Sequence, residues 1–378
     1  MRNRHSVFCI TPPHLLEQIA RNGSAQQREL AQRTLASSAE IRRKRIALGA
    51  SLRAALPAEP TSGKQRTVYD AQGGSQLPGT KVRAEGEPAS SDPAVNEAYD
   101  GSGITYDMFF NIYGRDSIDN RGLKLNSTVH YLKGYDNAFW DGAQMVYGDG
   151  DEDLPPEQRL FNRFTKSLDV IGHELTHGVT QYEADLNYSN QPGALNESMS
   201  DVFGSLVRQY QQGQAADQAD WIIGAGLFTA NVNGAGIRSM KAPGTAYDDP
   251  VLGKDPQPAH MKDYVNTFED NGGVHINSGI PNHAFYVVAR ELGGFAWEKA
   301  GRIWYKTLTD KLTAASAFMD AANLTHQAAG ELFGAGSLEQ QAVETGWAEV
   351  GIAIGGPPPT NEGCFNRAMR AMGLVGGK

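Results

Sequence analysis

Cysteine is nearly missing from this 378-residue chain, which has only Cys9 and Cys364. Two thiols exclude a disulfide-stapled scaffold and any zinc site built from cysteine alone. No apolar run approaches the ~18 residues of a membrane-spanning helix. Met1 to Ala20 offers a single four-residue apolar run, Val7 to Ile10, which Pro12 and Pro13 terminate. A secretory signal needs a longer run and a small-residue cleavage site. The chain is therefore expected to stay in the cytoplasm, where it is made, or to leave by a route without a cleaved N-terminal signal. The 43 glycines show no G-x-y period and only 18 prolines accompany them, which excludes collagen and implies many tight turns. No internal repeat is visible. What remains is a globular composition, 40% hydrophobic and 20% charged, on a chain long enough for two packed lobes.

Charge is segregated along the chain. Residues 1–56 carry ten Lys or Arg against three acids, a net of +7, while the rest carry 24 against 40, a net of −16. A basic leader on an acidic body suits docking of the leader on its own protein. The competing reading is a nucleic-acid-binding arm. Phosphate binding needs no apolar face, yet Leu15, Leu16 and Ile19 recur at helical spacing, as do Leu30, Thr34 and Leu35. The chain also lacks a base-stacking motif. Neither nucleic acid nor a membrane is expected as a partner. Ile41-Arg42-Arg43-Lys44-Arg45 is a protease-sensitive candidate, and Pro57 to Gly63 reads as a linker.

From Thr67 to Tyr147, turn pairs such as Asp100-Gly101 and Asp141-Gly142 alternate with β-prone stretches, Thr67 to Tyr69 and Ser127 to Leu132 among them. This predicts a β-rich lobe with one helix near Asp107 to Tyr113. Further on, helices are predicted at about 161–183, 193–212, 278–292, 295–308 and 314–330. Residues 356–378, opening on Gly-Pro-Pro-Pro, read as a weakly ordered tail with a short helix over Asn361 to Leu374.

The chemistry begins at His173-Glu174-Leu175-Thr176-His177. In a helix, positions four apart share a face, so both imidazoles can reach one ion. Glu174 lies beside that pair, placed to take a proton from a metal-bound water. Two solvated histidines on a surface helix would be the plain alternative. The apolar flanks, Phe161, Phe164, Leu168, Val170 and Ile171 before and Val179 and Tyr182 after, argue for a buried helix, where bare imidazoles are unfavourable. A catalytic zinc takes three protein ligands and keeps one position open. Glu197, twenty residues after His177, can be the third, and Asp201, one turn further, can accept the outer N–H of His173 and fix its tautomer.

Together with Asn196-Glu197 and Asp201, this motif resembles the thermolysin family of zinc endopeptidases. Further segments match in order. They are Asn137-Ala138-Phe139-Trp140, Tyr188, Gly236-Ile237-Arg238-Ser239-Met240, and Asp270 through Ile280 (DNGGVHINSGI). The likeness covers about residues 66–352. The short leader with Pro12-Pro13-His14-Leu15 is similar to the protealysin branch, whose brief propeptide blocks the cleft with its Pro-Pro segment and has no signal sequence.

The resemblance implies an α+β, two-lobed fold with the zinc site in the cleft between a β-rich lobe and a helical lobe. Its expected parts are a propeptide at 1–50, a processing region at 51–65, lobes at 66–183 and 184–352, and a tail at 353–378. It implies a neutral zinc endopeptidase, monomeric, acting on protein or peptide substrates and made as a self-processing precursor. One zinc would sit on His173, His177 and Glu197, with Glu174 moving protons. Tyr188 and His275 would donate to the oxyanion and Asp270 would orient His275. Asn137, the Ala138 backbone and Trp140 would form the substrate strand, and Arg238 would bind a substrate carbonyl. Phe161, Phe164, Val170, Ile223, Leu227 and Ile237 would line an apolar pocket for the residue after the cut, favouring bulky hydrophobic side chains there.

Departures from the family bear on calcium. At the family's double calcium site Asp169 and Asp220 match, but Arg208, Ile222 and Ala225 cannot serve as carboxylate ligands, so this site is expected to be lost. The Arg208 guanidinium is expected to replace the cation between the two aspartates. A second family site is weakened by Ala235, and the acidic run Asp149 to Asp153 is expected to be a solvated loop, with calcium binding by that run as the alternative. Cys9 reads as a small buried residue or as a thiolate able to cap the metal in the precursor. A relative that binds peptides without cutting them is the remaining alternative, and intact Glu174, Tyr188 and His275 argue against it.

Overall fold

Short extended segments and long helices alternate in the order the composition suggests. The structure is a computed structural model that describes residues 8–52 and 63–356, with backbone alone at Phe8 and over 42–52. The leader contributes β1 (Phe8–Cys9), α1 (Pro13–Asn22) and α2 (Ala25–Leu52). The N-terminal lobe follows with β2 (Arg66–Asp70), β3 (Thr80–Ala84), α3 (Pro93–Tyr113), β4 (Leu125–Val129), β5 (Ala138–Trp140) and β6 (Met145–Tyr147). Then come α4 (Leu168–Tyr182), α5 (Asn190–Gln212), two small hairpins formed by β7 (Ile222–Ile223) with β8 (Arg238–Ser239) and β9 (Asp248–Asp249) with β10 (Gly253–Lys254), and the helices α6 (Asp270–Asn277), α7 (Gly279–Leu292), α8 (Lys299–Asp310), α9 (Phe318–Phe333) and α10 (Leu338–Glu349).

The main sheet has the order β1-β5-β6-β4-β2-β3, with the β2–β4 and β4–β6 pairs parallel and the others antiparallel. Its outermost strand on one side is the leader's own β1, so the leader does not form a body apart. Apolar α1 residues Leu15, Leu16 and Ile19 are buried in the core that runs through both lobes. α2 continues through Ile41–Arg45, so that run lies within a helix. Residues 53–62, which make up most of the linker and of the processing region, and the expected helix over Asn361 to Leu374 lie outside the described residues.

Three sequence expectations need correction. The helix expected near Asp107 begins at Pro93, where Asp92 caps it by accepting from the Ala94 N–H at 2.9 Å and Pro93 takes the first turn. Gly101 and Gly103 hide this helix from a propensity reading. A Cβ at Gly101 would stand 2.4 Å from Ile171 Cδ1, and one at Gly103 2.3 Å from an Arg66 guanidinium nitrogen, so glycine here allows close approach. The helix expected from 161 starts only at Leu168, because Phe161 bridges to Phe228 and Asn162 donates to the Leu227 carbonyl at 2.8 Å. The strand expected through Leu132 stops at Val129, since His130 and Leu132 adopt positive φ, 55° and 54°. Helix α10, with no expectation attached, packs Trp347 parallel to Trp304 of α8.

Candidate active site

Helices α4 and α5 carry the centre of the site, and glycines let them meet. A Cβ on Gly204 of α5 would lie 2.4 Å from the Asp169 carbonyl oxygen and 3.0 Å from the His173 nitrogen of α4. That close crossing faces His173, Glu174 and His177 toward Glu197 and Asp201. All five side chains are fully buried.

Each imidazole has its outer nitrogen engaged. His173 Nδ1–H donates to Asp201 at 2.8 Å, and His177 Nδ1–H donates to Asn196 Oδ1 at 2.8 Å, with the Ser200 hydroxyl 3.0 Å away. Their Nε2 atoms are left facing one another at 2.9 Å. Two unprotonated nitrogens that close would repel unless they share a proton or a cation. Glu197 lies 3.6 Å from His173 Nε2 and 3.5 Å from His177 Nε2, and its Oε2 is buried with no hydrogen-bond partner among the described residues. The three donor groups fall within 4.8 Å of one another. Two neutral imidazoles and a carboxylate with second contacts on the rings fit zinc. Burial, then the nearby His173, pushes the His177 pKa well down, which keeps that ring neutral as a ligand must be.

The remaining groups carry opposite electrostatic settings. Glu174 is pushed well above the ordinary carboxylate range by burial and next by Glu197. Its Oε2 accepts the Trp140 N–H at 3.0 Å, so Trp140 acts here through its backbone, while its buried indole donates to Gln181. Burial opposes charge on His275, but Asp270 and then Glu197 outweigh it and hold His275 up at about 9. Its Nδ1–H donates to Asp270 at 2.6 Å. Tyr188 donates to Glu197, lies 3.2 Å from His275 Nε2, and is kept protonated by burial. Arg238 holds Asp201 through two bonds of 2.8 and 2.7 Å. Burial opposes ionisation of Asp201, and Arg238 followed by His173 overcomes it.

The leader runs through this cleft. Ile10 N–H donates to the Ala138 carbonyl at 3.2 Å, Thr11 N–H to Asn137 Oδ1 at 2.9 Å, and Arg238 Nη1 to the Ile10 carbonyl at 3.2 Å. The Cys9 carbonyl accepts from His275 Nε2 at 2.9 Å. Ile10 is buried in the same apolar core as Phe161, Phe164, Val170, Ile223, Leu227 and Ile237. The Cys9 side chain belongs to a smaller cluster with Tyr131, Tyr135, Phe139 and Val146.

A model of the thermolysin metallopeptidase catalytic domain matches residues 58–181, and one of its alpha-helical domain matches residues 184–352. The chain belongs to the thermolysin family of metallopeptidases. The extracellular metalloprotease of Pectobacterium carotovorum subsp. carotovorum is 51% identical over 351 residues, covering 92% of this chain and 97% of that protein. A thermolysin of Alicyclobacillus acidocaldarius subsp. acidocaldarius is 40% identical over 302 residues, 77% of this chain and 52% of that protein. Among solved structures, the precursor of protealysin, a metalloproteinase from Serratia proteamaculans, aligns with a TM-score of 0.82 at 51% identity, covering 92% of this chain and 100% of the other. This chain is thus a thermolysin-type zinc endopeptidase of the protealysin-like branch, made as a precursor.

Within this thermolysin-type site, sequence reasoning left Asn196, Ser200 and Asn282 without roles. Asn196 and Ser200 contact the His177 ring, and Asn282 donates to Asp201 at 2.8 Å. Asn196 adjoins Glu197 on α5, which is a usable signal; Asn282 comes from α7, which no local pattern links to Asp201. Arg208 lies between the two aspartates, donating to Asp169 at 3.1 Å, to Asp220, and to the Ile222 carbonyl at 3.1 Å. The run Asp149 to Asp153 is not the solvated loop expected. Asp151 is buried and accepts the Leu160 and Phe161 N–H groups at 2.7 and 3.0 Å, Asp149 binds His130, and Glu152 binds Arg163. The backbone of the following turn needs that carboxylate inside.

Proposed function

We propose that this enzyme cuts peptide bonds on the amino side of bulky apolar residues, with Glu174 as the proton carrier. The supporting observation is the leader strand, whose Cys9–Ile10–Thr11 backbone bonds to His275, Ala138, Arg238 and Asn137 as an extended substrate would. The zinc ion that His173, His177 and Glu197 would hold supplies Lewis-acid polarisation. Glu174, buried and raised in pKa, takes a proton from the attacking water and returns it to the leaving nitrogen. His275, charged and oriented by Asp270, and Tyr188, protonated, donate to the developing oxyanion. Arg238 and Asn137 fix the strand after the cut, and Trp140 orients Glu174 through its N–H. The apolar pocket of Phe161, Phe164, Val170, Ile223, Leu227 and Ile237 receives the side chain after the cut.

Residues 1–50 act as the propeptide, 51–65 hold the processing site, 66–183 and 184–352 form the lobes, and 353–378 form a tail. The partners are peptides and the enzyme's own leader, with no nucleic acid or membrane, and the enzyme works as a monomer. No helix among the described residues is long and apolar enough to cross a membrane. With relatives named extracellular, export by a route without a cleaved signal fits best.

The test is hydrolysis of a leucine-containing peptide by wild type and Glu174→Ala, with zinc content measured in both. The expected result is one zinc in each and a loss of at least about 1000-fold in the variant's rate. Equal rates would sink the assignment of Glu174.

Arg208 is proposed to stand in for the family's double calcium site. Arg208→Ala leaves the buried Asp169 carboxylate without its cation, with an expected loss of about 3 kcal/mol. Denaturant unfolding with and without millimolar calcium checks this, and complete rescue by calcium would show that the cation site survives.

A further inference from the structure

The leader does more than fill the cleft. Its chain direction and register are those of a peptide ready to be cut, because each bond named above falls on one side or the other of a single peptide link. On one side, the Cys9 carbonyl faces His275 Nε2 at 2.9 Å, with the Tyr188 hydroxyl 3.2 Å from that nitrogen. On the other, Ile10 N–H bonds to Ala138 and is also turned toward the Glu174 carboxylate. Ile10 itself is a fully buried aliphatic residue. It is followed by a carbonyl on Arg238 and an N–H on Asn137.

We infer that the Cys9–Ile10 peptide bond is itself a cleavage site of this enzyme, cut within the chain while the leader is docked. This rests on the endopeptidase reading above. One water adds across the bond. Its oxygen joins the Cys9 carbonyl carbon, the C–N bond breaks, and both water protons end on the Ile10 nitrogen, giving a carboxylate at Cys9 and an ammonium at Ile10. Glu174 takes these protons from the attacking oxygen, one after the other, and passes each to the Ile10 nitrogen. The leader then stays in place, because α1 and α2 hold it by contacts that the cut does not touch. Leu15, Leu16, Ile19 and Ala31 remain in the core, and Gln27 still donates to the Gln158 carbonyl at 2.8 Å. This cut is distinct from removal of the whole leader near residue 50. It turns the leader into a slow substrate whose product remains bound.

The full chain with zinc is incubated over a hundredfold range of concentration, and N-termini and intact masses are followed. The expected product starts at Ile10, forms at a rate independent of concentration, co-elutes with the uncut protein on gel filtration, and is absent from Glu174→Ala. Ile10→Leu retains the cut, while Ile10→Gly lowers its rate by roughly 10–200-fold. A second reading needs no turnover. In zinc-free Glu174→Ala, hydrogen exchange should show the Ile10 and Thr11 amides strongly protected, with Thr11 protection lost in Asn137→Ala. Fast exchange at both amides overturns the inference, as does wild type that cuts a leucine peptide, or processes near residue 50, without ever yielding an Ile10 terminus. If no Ile10 terminus forms and no peptide is cut, the inference fails; tryptic removal of the leader then tests the endopeptidase reading separately, through peptide hydrolysis by the digested protein.

Discussion

His130 shows how one residue can hold two parts of the fold together. It occupies a left-handed conformation, φ 55°, that a non-glycine residue adopts at some cost. Its ring bonds Asp92 at 2.7 Å through Nε2 and Asp149 at 2.8 Å through Nδ1. Asp92 is the cap of α3, and Asp149 follows β6. The Asp149 bond most of all, against the opposing effect of burial and with help from Asp92, holds the His130 pKa up at about 9. The folded value lies above the unfolded ~6.5. The clamp therefore contributes fully below about pH 6.5 and is lost as pH rises through about 9. Its size is on the order of 2 kcal/mol after discounting the part-exposed partners for solvent screening. Denaturant unfolding of wild type and His130→Gln should differ by that amount at pH 6.5 and converge near pH 10. A difference that persists at pH 10 would mean that ring packing, not charge, is what His130 supplies.

At the scale of elements, the metal-site residues were readable because the chemistry is local. His173, Glu174 and His177 share one helix turn, and Glu197 and Asp201 share another. What joins the two helices was not readable. Gly172 and Gly204 look like weak points in a helix, yet a Cβ on Gly172 would stand 3.1 Å from the Gly204 Cα. Likewise α3 is obscured by glycines that its neighbours require, and its start depends on Asp92, whose second carboxylate oxygen serves His130 far along the chain. Strand ends set by such distant pairs, as at Val129, leave no periodic trace. Gly204→Ala tests the crossing. The new methyl meets backbone, the Asp169 carbonyl oxygen, which no rotamer change relieves. A loss of about 2–3 kcal/mol is expected, since overpacking must separate α4 from α5. Because the ligands are divided between these helices, zinc binding should weaken by roughly tenfold or more. Unfolding curves and zinc competition with a chelator check the two effects. Reduced stability with unchanged zinc affinity would show that the crossing sets packing alone.

At the scale of the whole molecule, the leader links both lobes, and its charge state governs how firmly it sits. The basic leader was expected to dock on the acidic body. Among the described residues the docking uses backbone pairing at β1 and the apolar face of α1, with His14 half-buried beside them. His14 Nε2 lies 3.3 Å from the Tyr247 hydroxyl, and Nδ1 is buried with no hydrogen-bond partner among the described residues. Burial holds the His14 pKa down to about 4, with His275 and Arg238 acting in the same direction and Asp270 against it. In a released leader the ring returns to about 6.5. The docked value is the lower one, so docking is at full strength above about pH 6.5 and weakens as pH falls toward 4. At pH 5 the released state gains about 2 kcal/mol, or roughly a thirtyfold shift toward release. Zinc-loaded Glu174→Ala keeps the leader uncut and isolates this effect. Its leader amides should exchange with deuterium about thirtyfold faster, relative to the intrinsic rate, at pH 5 than at pH 7. With His14→Asn added, a side chain that does not titrate, the pH step should vanish. A step of equal size in the His14→Asn chain would assign acid loosening to other groups of the cleft, and His14 would then be a packing residue without a titration role.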